Sequence, residues 1–138
     1  SDIKKELALL QSQHNITTNA LYDSSFEILL EAIAKSKPDV LVISDRTDEL
    51  SADELCFYVN LRSPHTKTII ITDKPATYEQ LKLSAFTCRG FVAYEQRHAI
   101  VRAVRVVHDG EAWIPRKLVT DVLDHLAKEE KRQNLIKS

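Results

Sequence analysis

Residues 39 to 45 read Asp-Val-Leu-Val-Ile-Ser-Asp, an apolar run without alternation that stops at two polar residues. Successive strand residues point to opposite faces, so Val40 to Ile43 demand apolar cover on both sides. A parallel sheet sandwiched between helices supplies that cover. The strand is therefore central, and in open α/β sheets the chemistry lies beyond the carboxyl ends of the strands, where Ser44 and Asp45 fall. Thr68 to Thr72, Thr-Ile-Ile-Ile-Thr, repeats the pattern and ends at Thr72 and Asp73.

The intervening segments carry helical signals. Ile3, Leu7 and Leu10 mark an amphipathic helix over 2–14, and Ile16 to Tyr22 reads as a short strand. Ser24 and Glu27 form a capping-box pattern ahead of Phe26, Leu29, Leu30 and Ile33, with Lys35 to Pro38 closing that helix. Ser51 and Glu54 cap a helix bearing Leu55 and Val59, which Pro64 ends. A helix is expected over Pro75 to Phe86 and a strand over Gly90 to Tyr94. Ile100, Val101, Val104 and Val107 then mark a helix stopped by Asp109-Gly110. A last helix starts at Arg116, with Pro115 suited to its first turn. The alternating order gives a parallel sheet with right-handed crossovers. Because the chain opens on a helix, the strand expected in the middle of such a sheet is missing, and its absence would bare the backbone of the neighbouring strands unless something covers it.

Composition narrows the function. The 138 residues suit one domain, and two glycines cannot build a phosphate-cradling glycine-rich loop. A net charge of −1 lacks the basic field of a nucleic-acid binder. Cys56 and Cys88 stand in unrelated contexts without a CxxC spacing and read as small buried hydrophobes. His14, His65, His98, His108 and His125 are scattered, so no metal site is expected. No nucleophile elbow or triad motif is present and no enzyme is expected. Without a signal peptide or a membrane-length apolar run, a cytoplasmic protein with no membrane contact is the plain reading.

Pro38-Asp-Val-Leu-Val-Ile-Ser-Asp-Arg46, Thr66-Lys-Thr-Ile-Ile-Ile-Thr72, Arg89-Gly-Phe-Val-Ala-Tyr94 and the stretch from Ile100 to Leu118 with its Gly-Glu-Ala-Trp-Ile-Pro-Arg together resemble a receiver domain. The likeness is to response regulators of two-component systems, in the LuxR/NarL (FixJ) branch of transcription regulators, over roughly residues 3 to 126. It implies a flavodoxin-like (CheY-like) fold with the first strand missing and an extra C-terminal helix. It divides the chain into a receiver-like domain at 1–112 and a C-terminal helix and linker at 113–138 leading to an absent DNA-binding domain. In register with the family, the phosphoacceptor aspartate falls on Ser44, the conserved hydroxyl on Thr72 (28 residues on, 72−44) and the conserved lysine on Tyr94 (50 on, 94−44). The metal-binding acidic pair would fall just before Ser1. Serine cannot form an acyl phosphate or supply a fully charged metal ligand, and tyrosine offers no cation to phosphoryl oxygens. The resemblance is thus to a degenerate receiver whose phosphotransfer pocket is Ser44, Asp45, Thr72 and Tyr94. Asp45, one position late, is assigned a loop or capping role, and Thr72 and Tyr94 are left able to bond each other.

Two further features bear on partners. Trp113 and Arg116 are three apart, and the pair resembles the Trp-x-Thr/Ser-Arg element by which some biofilm regulators of this branch bind cyclic di-GMP, here with Pro115 at the third position. Packing of the helix junction is the alternative use of the same residues. Val119, Val122, Leu123 and Leu126 form an apolar stripe on the last helix and are expected to make a homodimer. DNA would be reached only through a domain C-terminal to this chain.

Overall fold

The computed structural model describes residues 26–45 and 52–137. The expected helix over 2–14, the strand over 16–22 and the caps Ser24 and Ser51 lie outside the described residues, as does the question of a missing first strand. The elements run α1 (Phe26–Ser36), β1 (Val40–Ser44), α2 (Ala52–Arg62), β2 (Lys67–Ile71), α3 (Tyr78–Leu83), β3 (Cys88–Val92), a 3-10 helix (Tyr94–Ala99), α4 (Ile100–His108) and α5 (Arg116–Lys137). The three strands are parallel in the order β1-β2-β3. The fold is the flavodoxin-like arrangement expected from the sequence, with helices on both faces of the sheet.

Each strand serves two cores, which is why its sequence does not alternate. Ile43 and Ile70 pack with Leu30 and Ile33 of α1, Leu55, Cys56 and Val59 of α2, Leu81 of α3 and Leu118 of α5. Ile69, Ile71 and Val92 pack on the other face with Ile100, Ala103 and Val107 of α4, joined by Val40 and Val42. β1 and β2 are in register from Val40 opposite Lys67 to Ser44 opposite Ile71. β2 and β3 slip by one residue between Thr68 and Ile69, which places Gly90 against Ile69. A Cβ at Gly90 would stand 3.0 Å from Ile69 Cγ1, so the close strand approach itself calls for glycine there.

Two elements differ from expectation. The helix expected over 75–86 is confined to Tyr78–Leu83 behind a Thr77/Gln80 capping box. Its end is local chemistry: Ser84 Oγ donates to the Leu81 carbonyl at 2.8 Å and accepts from Cys88 N at 3.0 Å. Ala85 and Phe86 then take left-handed φ values of 53° and 62°, turning the chain into β3. β3 begins and ends two residues earlier than Gly90–Tyr94, because Tyr94 opens the 3-10 helix that leads into α4.

The last helix is anchored to the body before it extends outward. Trp113 makes a single parallel bridge to Gly90, donating its N–H to Arg89 O at 2.8 Å and accepting from Phe91 N at 2.9 Å. Leu118, which the expected stripe omitted, is only 1% exposed inside the core, and Val122 packs beside it. One turn further on, the His125 ring stacks on Tyr78 with centroids 3.9 Å apart and planes 7° from parallel. The stripe is therefore split. Val122 faces the body with Leu118 and His125, whereas Val119, Leu123 and Leu126 face outward.

Candidate functional site

The ladder carries past the strand ends and fixes the site backbone: Asp45 N donates to Ile71 O at 3.1 Å and Thr72 N to Val92 O at 2.9 Å. Strand alternation then sorts the side chains onto the two faces. Ser44 shares the parity of Val40 and Val42 and meets Tyr94, the two hydroxyls being hydrogen-bonded to each other. Asp45 shares the parity of Ile43 and meets Thr72, whose hydroxyl donates to Asp45 Oδ2. Thr72 Oγ1 also accepts from Lys74 N at 2.9 Å, so its one proton and one of its two lone pairs are used.

The four residues read from the sequence thus come together as two separate pairs. The pairing left open between Thr72 and Tyr94 is not the one formed: Thr72 shares the parity of Ile70 on the α1–α3 side of the sheet, whereas Tyr94 is packed with Ile69, Val92 and Ile100 on the α4 side. Tyr94 is buried, and its carbonyl accepts from Arg97 Nη1 at 2.7 Å, which holds the first turn after β3. At the acceptor position stands a hydroxyl bonded to a phenol, and the carboxylate of the next residue is bonded to a threonine. Hydroxyl to hydroxyl and hydroxyl to carboxylate are satisfied neutral or singly charged contacts. Neither puts a cation where phosphoryl oxygens would lie.

Trp113 and Arg116 do not form a shared helical face. Trp113 lies before α5 in its bridge to β3, half-buried, with the Arg102 guanidinium of α4 5.8 Å above its ring. Arg116 begins α5 and is exposed. The cation beside the indole is thus Arg102, which sequence spacing could not indicate.

Two clusters join residues that read as unrelated in the sequence. His65 Nε2 and His108 Nε2 stand 3.7 Å and 3.6 Å from the two oxygens of Asp39, at the amino-terminal edge of the sheet, beside a cavity of about 240 Å³. The three side chains are mostly exposed, where such pairs contribute little to stability. Cys56 of α2 and Cys88 of β3 are both buried in one core, the Cys56 thiol donating to Thr68 Oγ1 at 3.4 Å and the Cys88 thiol to Gly90 O at 3.8 Å. No helix among the described residues is long and apolar enough to cross a membrane.

Comparison with family models and with curated proteins yields no match. Among solved structures, the chain is similar to a two-component response regulator of the LuxR family from Aurantimonas sp. SI85-9A1. The TM-score is 0.67 over 91% of this chain and 90% of that one, at 11% sequence identity. At that identity the likeness establishes the fold alone.

Proposed function

We propose that this chain, which has the response-regulator receiver fold, is a signalling module that works without phosphorylation, dimerises through its last helix and positions a LuxR-type DNA-binding domain. The observation that carries the reading is the Ser44–Tyr94 hydroxyl pair at the position where an active receiver keeps its aspartate and lysine. A serine hydroxyl already bonded to a phenol has neither the charge to hold Mg²⁺ nor the leaving-group chemistry of an acyl phosphate. Asp45, the next residue along, is bonded by Thr72 on the other face of the sheet. The outward row of Val119, Leu123 and Leu126 supports the dimer.

Incubation with acetyl phosphate and Mg²⁺ should leave the intact mass unchanged. A stoichiometric acid-labile phosphoryl adduct on Asp45 would refute the phosphorylation-independent reading. The alternative reading, a dimer assembled by cyclic di-GMP through Trp113 and Arg116, is tested by sedimentation with and without the dinucleotide. The engagement of the indole by Arg102 favours a packing role for Trp113, so the sedimentation coefficient should not change.

A further inference from the structure

We propose that the cavity between α3, β3 and the start of α5 binds a small apolar carboxylate, with Arg89 as its cation. The cavity holds about 220 Å³ and opens to the surface. Leu81, Phe86, Cys88, Ile114 and Val122 give it apolar walls, and Arg89 is the charged residue that lines it. An engineered apolar cavity of about 150 Å³ holds benzene, so there is room for a six-membered ring and a carboxylate, whereas drug-sized ligands need about 300 Å³ or more.

The cation is held in place with donors to spare. Arg89 Nε donates to Phe86 O at 2.6 Å, and its two terminal nitrogens make no bond to the described residues. A planar guanidinium offers parallel N–H donors that match the two oxygens of a carboxylate. A single cation among apolar walls also suits a singly charged anion, since a phosphate dianion would bring uncompensated charge against them. The aromatic edge of the cavity is equally fixed. Phe86 takes a left-handed φ of 62° that bulky residues rarely adopt, and its side chain is 43% exposed. Its ring stands 6.0 Å from that of Tyr78, which in turn stacks on His125 of α5. This braced edge leaves apolar surface that a ring or an acyl chain would take out of water, at little cost in ordering the protein. Because Val122 supplies the α5 wall, an occupant touches the receiver body and the last helix at once.

The test titrates the folded chain with benzoate and, separately, with hexanoate while following backbone amide shifts by NMR, with benzamide as the uncharged match for benzoate. Saturable shifts at Phe86, Arg89 and Ile114 are expected from at least one carboxylate, with a Kd on the order of 1 mM, and the tighter of the two tells a ring site from a chain site. Benzamide should bind about tenfold more weakly than benzoate, and Arg89→Gln should remove that difference, the loss expected of one charge-assisted pair. Ala112, on the exposed wall of the cavity, offers a second variant: Ala112→Phe should abolish binding by filling the space. The comparison of benzoate with benzamide on the unmodified chain is the readout that survives if either variant fails to fold. No saturable shift from either carboxylate, shifts that map away from the cavity, or equal binding of benzoate and benzamide would overturn the assignment.

Discussion

Leu118→Ala tests whether the start of α5 belongs to the receiver core. The side chain is 1% exposed and sits with Leu81, Cys88 and Phe91, so truncation removes nearly all of its buried carbons beyond Cβ. At about 0.8 kcal/mol per buried methylene the transfer loss is about 2.4 kcal/mol, and the space left behind brings the expected cost to about 2.5–4 kcal/mol. The cavity beside Val122 and Ile114 keeps the cost from reaching the upper end of the known range, because neighbours there can move into the gap. Leu123→Ala, five residues on, is the matched control: that leucine is 60% exposed, so the same truncation should cost about 1 kcal/mol or less. Urea unfolding followed by circular dichroism separates the two, since a loss of about 3 kcal/mol lowers the midpoint by roughly 1.5 M at a slope of about 2 kcal/mol/M. Equal midpoints for the two variants would refute the reasoning and place α5 outside the cooperative unit.

The remaining predictions concern the outward face and the sheet. Leu123→Asp combined with Leu126→Asp should give a folded monomer in sedimentation experiments, because those residues are 60% and 56% exposed in the single chain and the charges become buried only in a dimer. Val122→Asp should instead lower stability, since Val122 packs against the core; a stable Val122→Asp protein would contradict the split of the stripe. Gly90→Ala should cost about 1–3 kcal/mol in urea unfolding, because the added methyl meets Ile69 Cγ1 at 3.0 Å inside a buried sheet. An unchanged midpoint there would mean that Ile69 yields without cost.

Much of the fold was legible one residue at a time. Unbroken apolar runs at Val40–Ile43 and Ile69–Ile71 could be buried only between two layers of helices, and the polar residues ending them marked the carboxyl edge. Positions 44, 72 and 94 lie at that edge as the resemblance to receiver domains implied, because parallel strands joined by short crossovers keep their ends together. What the residues do to one another there depended on side-chain direction. A single step along β1 sends Ser44 to Tyr94 on one face and Asp45 to Thr72 on the other, and only the register of three strands determines which partners wait. The same holds for Cys56 and Cys88 around Thr68, for the two histidines on Asp39, and for Arg102 over Trp113. Leu118 was legible in principle, four residues before Val122 and seven before His125 on one helical face. Periodicity alone could not say which edge of the stripe turned inward. Linear pattern determines which residues must be buried, since burial depends on local polarity and period, whereas contacts between residues tens of positions apart depend on how the layers dock, which only the assembled structure decides.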